Sequence, residues 1–166
     1  MPSPNPEFYG TVVEATAYHT SRGNTGWVDS PTSTAEAALI RASVWLDGVY
    51  GQRWPGSKVD GDQYLAWPRT NADDYEGFAI ASTVTPRAVQ HATYEAALRE
   101  LVSPGSLSPD FTPSQGVKQE TVGPLTVVYR DGVAYEFRPI ASVVDDLLAP
   151  LIGRRSRGGS VVTART

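Results

Sequence analysis

The sequence contains no cysteine, few lysines and no long apolar run. Without thiols the chain has no disulfides, no thiolate metal ligands and no cysteine nucleophile. No apolar run approaches the roughly 20 residues that cross a bilayer. The start, MPSPNPEFYG, has neither the basic nor the apolar region of a signal peptide. We therefore expect an intracellular protein with no membrane partner.

The charge is unevenly distributed along the 166 residues, a length that fits one domain. The formal net charge is -4, and no acidic residue follows Asp146. The last thirteen residues contribute +4, which leaves -8 on the rest of the chain. Such an acidic body disfavours broad attraction to nucleic acid, because phosphate contacts need clustered cations.

Two N-terminal capping patterns predict the first two helices. Thr11, with Glu14 three positions later, predicts a helix over 12–22. The same spacing from Ser33 predicts a longer helix over 34–50. One face of the longer helix is apolar at helical spacing. It comprises Ala35, Ala38, Leu39, Ala42, Leu46 and Val49.

Two more helices are predicted further along the chain. Thr85 as a cap and Pro86 at the first helical position predict a helix over 86–102. Its apolar arc is broad, so we expect contacts on two sides and spare apolar surface for a partner. The last helix is predicted over 140–151, with Pro150 kinking or ending it.

A small β-structure is predicted between these two helices. Residues 103–116 are rich in serine, proline and glycine, which is typical of a linker or a long extended loop. An antiparallel β-hairpin is predicted over about 117–137, with turns at Gly123-Pro124 and Asp131-Gly132.

The predicted fold class is mainly α. We expect a small helical bundle with a long loop containing tryptophan and proline, an inserted antiparallel β-hairpin and an extended C-terminal tail. Residues 1–152 form a single domain in this interpretation, and 153–166 form the basic tail.

The long loop contains two tryptophan-proline pairs, Trp54-Pro55 and Trp67-Pro68. They suit a stacking surface for single-stranded nucleic acid, a lid over a pocket, or an interior anchor that locks helices together. Asp60 and Asp62 in the same loop disfavour the first, and the flanking prolines favour the third. We expect Arg69 to lie over an indole or to pair with a carboxylate.

The sequence shows no catalytic or metal-binding pattern. Neither His19 nor His91 has a second histidine at helical spacing. The acidic pair Asp60 and Asp62 fails the calcium-loop spacing, because Asn71 stands where a glutamate is needed. Nucleophile-elbow, phosphate-loop and dinucleotide motifs are missing from the sequence. We expect no enzyme and no cofactor; an enzyme would require a pocket with paired titratable groups.

Several short motifs carry a resemblance to a known family. They are Leu46-Asp47-Gly48, Tyr50-Gly51, Trp54, QYLAWPR at 63–69, Pro86, Glu95-Ala96-Ala97-Leu98 and the basic tail. The chain resembles the head-to-tail adaptor family of tailed bacteriophages and gene transfer agents. Members of that family are often labelled DnaT-like single-stranded DNA-binding proteins. The structural motif that the resemblance implies comprises Trp54, Gln63, Leu65, Trp67, Pro68 and Arg69.

The resemblance implies a structural protein of the virion neck that is assembled in the host cytoplasm. Its partners would be the portal protein, identical subunits in a ring of about twelve, and a tail-side neck or stopper protein. Genomic DNA would pass through the ring only as cargo during ejection. Residues expected to contact the portal or a neighbouring subunit are Arg154, Arg155, Arg157, Val161, Val162 and Arg165. The alternative is a single-stranded-DNA-binding module of a phage replication system.

Overall fold

The described part of the chain is mainly helical, with three small antiparallel strand pairs. The computed structural model describes residues 7–108, 119–122, 125–128 and 142–153. The helices are α1 (Val12–Thr20), α2 (Thr25–Val28), α3 (Thr32–Tyr50), α4 (Arg87–Val102) and α5 (Ser142–Ile152). The strands are β1 (Ser57–Lys58), β2 (Arg69–Thr70), β3 (Ala72–Asp73), β4 (Ala79–Ile80), β5 (Gln119–Val122) and β6 (Leu125–Val128). The predicted fold class is confirmed.

The start of α1 follows the predicted cap. The backbone N–H of Glu14 donates to Thr11 Oγ1 at 3.1 Å, and that hydroxyl donates to Glu14 Oε2 at 2.9 Å. The helix ends at Thr20, two residues before the predicted end. The next residues fold into a turn in which Gly23, at φ 70°, donates its N–H to the carbonyl of Thr20. A glycine tolerates this left-handed backbone without strain.

The starts of α3 and α4 correct the sequence prediction. Helix α3 begins at Thr32, and the preceding Pro31 supplies the first carbonyl acceptor of the helix, so Ser33 is not the cap. Helix α4 begins at Arg87, with Pro86 just outside it in the same role. Proline suits this position because its fixed φ and missing N–H cost the helix nothing there.

Helix α4 lies at the centre of the bundle. It packs most extensively against α3 and α5 and also contacts α1 and α2. Contacts on two sides are therefore confirmed. The chain's own helices cover most of the broad arc, Val102 at its end is exposed, and a partner on this surface stays a prediction. The buried residues of α4 are Val89, Ala92, Thr93, Tyr94, Ala96, Ala97 and Glu100.

Helix α5 closes the bundle with Val144, Leu148 and Leu151 buried. It continues through Pro150 to Ile152, so the proline does not end it. The described helices include none with the length and apolar composition needed to cross a bilayer.

The region between α3 and α4 is more ordered than the sequence predicted. A single 3-10 turn, Gly51–Arg53, follows α3. Strand β1 pairs with β2 through Ser57↔Thr70 and Lys58↔Arg69, and β3 pairs with β4 through Ala72↔Ile80 and Asp73↔Ala79. Two-residue ladders are too short to produce an alternating hydrophobic pattern.

The inserted β-hairpin is described in part. Strands β5 and β6 pair antiparallel with Val122↔Leu125 nearest the connection, as the predicted turn at Gly123-Pro124 requires. The predicted turn at Asp131-Gly132 and the rest of the hairpin to 137 lie outside the described residues. The tail from 154 to 166 also lies outside them.

Gly10 allows the N-terminal segment to approach α4. Its φ is 77°, and a Cβ there would overlap the phenol of the buried Tyr94. We expect Gly10→Ala to lower the free energy of unfolding by about 2 kcal/mol or more, through backbone strain and overpacking. Urea unfolding followed by tryptophan fluorescence measures the change.

Gly48→Ala is the matched control. Gly48 lies inside α3, and the space that an alanine methyl would occupy there is open. The same substitution at this position should raise the free energy of unfolding by about 0.5–1 kcal/mol, since alanine loses less backbone entropy in a helix. Equal effects at the two glycines would contradict the close approach at Gly10.

Candidate functional site

A single carboxylate in the last turn of α3 holds the Trp/Pro loop, residues 51–70. Tyr9 Oη donates to both oxygens of Asp47, at 2.8 and 2.9 Å. Trp54 Nε1 donates to Oδ1 at 3.2 Å, and the backbone N–H of Ala66 donates to Oδ2 at 2.8 Å. One acidic group therefore joins the N-terminal segment, both ends of the loop and α3.

Tyr9 forms the second layer of this network. Its hydroxyl accepts a hydrogen bond from the backbone N–H of Trp67 at 3.1 Å. Its own backbone N–H donates to Ser43 Oγ on α3 at 3.0 Å. The Tyr9 side chain is buried, and burial together with the neighbouring Asp47 carboxylate raises the pKa of its phenol. The phenol thus stays a hydrogen-bond donor to Asp47 at any physiological pH.

The QYLAWPR motif closes on itself through its glutamine. Gln63 Nε2 donates to the carbonyls of Leu65 and Pro68, at 2.8 and 3.1 Å. The side chain of Leu65 is buried, and the Trp67–Pro68 peptide bond is cis. The motif is therefore a folded turn rather than an open strand.

Arg69 joins the two tryptophan-proline segments. Its Nε donates to the carbonyl of Pro55 at 2.6 Å, and its Nη2 donates to that of Gly56 at 2.6 Å. Nη1 donates to the carbonyl of Ala66 at 3.3 Å. The expectation that Arg69 lies over an indole or pairs with a carboxylate is therefore wrong. The guanidinium instead satisfies three backbone carbonyls that the turning loop leaves unpaired.

Both indoles of the loop lie inside the protein. Trp54 is 5% exposed and Trp67 is 1% exposed. Their rings meet edge to face, with centroids 6.1 Å apart, and Trp54 also packs near Tyr50. This burial agrees with the interior-anchor explanation. It removes both rings from use as stacking platforms for bases, which need an exposed face.

The Asp47 carboxylate is a partly desolvated charge. Burial raises its pKa, against the opposing effect of the hydrogen bonds from Ala66, Tyr9 and Trp54. Desolvation favours the neutral acid, whereas donors favour the carboxylate. The three donors therefore compensate a charge that the fold has moved partly out of water.

The two histidines take structural positions. His19 is fully buried; its Nε2 lies 3.1 Å from the carbonyl of Tyr94, and its Nδ1 lies 3.0 Å from Asn24 Nδ2. These partners assign a neutral ring that donates from Nε2 and accepts at Nδ1. His91 packs against Tyr18 with ring centroids 4.6 Å apart. Burial lowers the pKa of both imidazoles.

The acidic loop residues form turns. Asp60 Oδ1 accepts the backbone N–H of Asp62 at 3.0 Å, and Gln63 Oε1 accepts that of Asp60 at 3.0 Å. Within the described ranges, no group of three metal-ligating side chains is positioned to hold an ion. The absence of a cofactor remains a prediction for the whole chain.

Two shallow grooves lie beside Trp45 and Leu107, with volumes of about 440 and 340 Å³. The first has mainly apolar walls from α4 and the turn that follows it. The second contains Glu100, which already pairs with Arg41 at 2.8 Å. Neither tryptophan of the loop lines these grooves, so they do not support a lid. That the chain is not an enzyme stays a prediction.

The residues predicted to bind partners, from Arg154 to Arg165, lie outside the described residues. The chain reaches them through Gly153, whose carbonyl accepts a hydrogen bond from Arg53 Nη2 at 2.8 Å. Sequence reasoning assigned no role to Tyr9 or Asp47, although Asp47 belongs to the Leu46-Asp47-Gly48 motif. An acidic residue directly after buried Leu46 was the one available signal.

A family model matches residues 1–166, the whole chain. Its description is "Putative DnaT-like ssDNA binding protein". The chain belongs to this family. The family description names single-stranded DNA and does not mention head-to-tail adaptors. No curated protein and no solved structure matches the chain significantly.

Removing the Asp47 carboxylate should destabilise the protein. We expect Asp47→Ala to lower the free energy of unfolding by about 3 kcal/mol, because it leaves the donors of Tyr9, Trp54 and Ala66 unpaired. Urea denaturation measures the loss. Asp146→Ala, at an exposed site on α5, is the control and should change stability by less than about 0.5 kcal/mol. If Asp47→Ala lowers the free energy of unfolding as little as the control does, the Asp47 carboxylate is dispensable for stability.

The buried imidazole of His19 should remain neutral below pH 6.5. The unfolded chain takes up this proton more readily than the folded one, so His19 lowers the free energy of unfolding as the pH falls from 6.5 towards its folded pKa. NMR titration of the imidazole signals in the folded protein measures the folded pKa. A His19 pKa at or above 6.5 would contradict the hydrogen-bond assignment.

Proposed function

We propose that the chain is a structural virion protein, a head-to-tail adaptor that forms a ring under the portal and joins the capsid to the tail. The observation that carries this proposal is the burial of Trp54 and Trp67 around Asp47. The most distinctive motif of the sequence is thereby used to fix the shape of the subunit. A motif used in this way suits an assembly protein better than a ligand-binding one.

The charge distribution supports DNA as passing cargo. Residues 1–153 carry a formal charge of -8. The exposed carboxylates between α3 and α4 include Asp60, Asp62, Asp73 and Glu76. Carboxylates facing a channel would repel phosphate and keep the genome from adhering during ejection. This arrangement requires the lumen of the ring to be lined by few arginines.

The packing of α4 supports contacts through loops and termini. Most of its apolar arc is covered by the other helices, so the ring contacts would come mainly from the loops and the basic tail. A ring needs two different surfaces on each subunit, one for each neighbour. The portal, the neighbouring subunits and a tail-side neck protein remain the proposed partners.

Single-stranded-DNA binding is the second candidate. The description of the matched family favours it. So do the exposed aromatic side chains Tyr64, Tyr75 and Phe78, because bases stack on exposed rings. The acidic residues around these rings oppose it.

Density for the neck of an assembled virion tests the adaptor directly. We expect this chain to form a closed ring of about twelve copies against the portal, because rings built on a portal share its symmetry. Cryo-electron microscopy of the neck is the measurement. A neck built without this chain would overturn the proposal.

Oligonucleotide binding separates the two candidates. For the adaptor we expect negligible binding of a single-stranded oligonucleotide at physiological salt, and Trp67→Ala should lower the free energy of unfolding by about 3–5 kcal/mol. Fluorescence anisotropy and urea unfolding make these measurements. Tyr64→Ala is the matched control at an exposed ring and should leave stability nearly unchanged. Salt-sensitive binding that is lost in Tyr64→Ala would favour the second candidate.

A further inference from the structure

The β3–β4 hairpin, residues 72–80, ends in a tightly bonded turn. Asp74 donates its N–H to the carbonyl of Phe78 at 2.9 Å. Its Oδ1 accepts the N–H groups of Glu76 and Phe78, both at 2.9 Å. We call residues 72–80 the aromatic hairpin, since its turn presents Tyr75 and Phe78. Its backbone is fixed by its own hydrogen bonds.

The aromatic hairpin is anchored on the end of α5. The backbone N–H of Tyr75 donates to the carbonyl of Pro150 at 3.1 Å. Gly153, at φ 70°, lies so close to the Tyr75 ring that a Cβ there would be 2.9 Å from it. The basic tail therefore starts directly beside this ring.

Two large aromatic side chains of this hairpin face outward. Tyr75 is 72% exposed and Phe78 is 67% exposed, so the described part of one copy leaves both rings largely uncovered. Rigid exposed aromatics lose little conformational entropy on binding, and they are enriched at protein interfaces. Their fixed backbone is suited to a preformed docking surface.

The charges around the rings indicate what docks there. The hairpin contains Asp73, Asp74 and Glu76 and no cation. The tail, residues 154–166, contains four arginines, two valines and no carboxylate side chain. Arginine binds carboxylates in pairs of hydrogen bonds and also lies over aromatic faces. Nucleic acid fits this surface poorly, because the carboxylates repel phosphate.

We propose that the aromatic hairpin of one copy binds the basic tail of a second copy of this chain. Each subunit then receives one tail and donates one, which is a heterologous contact able to close a ring. The inference rests on the proposed adaptor function and names the contact between ring neighbours. Arg154, Arg155 and Arg157 meet the hairpin carboxylates, and the valines cover the rings.

Charge reversal in the full chain tests the contact. The hairpin variant carries Asp73→Lys with Glu76→Lys, which spares the Asp74 carboxylate that holds the turn. The tail variant carries Arg154→Glu, Arg155→Glu and Arg157→Glu. Each variant alone should lose roughly tenfold or more in self-association, measured by sedimentation velocity at low salt. A wild-type chain that remains monomeric at all concentrations overturns the proposal.

Mixing the two variants tests whether the hairpin and the tail bind each other directly. The unaltered tail of the hairpin variant can bind the unaltered hairpin of the tail variant, and the two reversed surfaces are complementary as well, so an equal mixture should associate again. A chain carrying both sets of reversals should regain self-association. If neither occurs while the wild type associates, the contact lies elsewhere and the proposal fails.

Two further variants test whether association is specific. Asp29→Lys with Glu36→Lys makes the same charge change at exposed sites outside the hairpin and should leave association unchanged. Phe78→Ser keeps the charge and should weaken association roughly tenfold, because it removes a central aromatic contact. An unaffected Phe78→Ser chain would indicate charge attraction alone and overturn the docking surface.

The outcomes also separate this contact from the adaptor role. If the neck contains a ring in which the tails bind other surfaces, the proposed hairpin–tail contact is wrong and the adaptor proposal is retained. If the charge-swapped chains associate in solution but the virion neck contains no ring of this chain, the hairpin–tail contact is retained and the adaptor proposal is wrong.

Discussion

The structure depends on one partly buried carboxylate, that of Asp47. A charge removed from water is costly unless donors surround it, and here the donors come from the N-terminal segment and from both ends of the Trp/Pro loop. The Trp/Pro loop can satisfy Asp47 only by folding back over α3. The path of the loop, the burial of Trp54 and Trp67 and the position of the N-terminal segment therefore follow from one electrostatic requirement.

Helix prediction worked where the signal was local. The Thr11 and Glu14 pair marks the start of α1, and the apolar face of α3 is buried as its spacing indicates. The starts of α3 and α4 were displaced by one or two residues, because the carbonyls of Pro31 and Pro86 open these helices. Helix α2 was missed, since four residues are too few for a periodic pattern.

The site was predictable in part. Proline neighbours and nearby carboxylates indicated that the indoles would lie inside, and they do. The bond between Tyr9 and Asp47 joins residues 38 positions apart, so no local pattern reveals it. The partners of Arg69 are backbone carbonyls, whose positions depend on the folded path of the loop. The apolar arc of α4 could not be assigned to the core until its neighbours were placed.

The enclosure of α4 has a consequence for how such proteins diverge. A helix surrounded by its own chain tolerates few changes, whereas an exposed hairpin tip such as the one that carries Tyr75 and Phe78 can vary more freely. Substitutions that leave the fold intact should therefore be found more often at such exposed tips than on the buried face of α4.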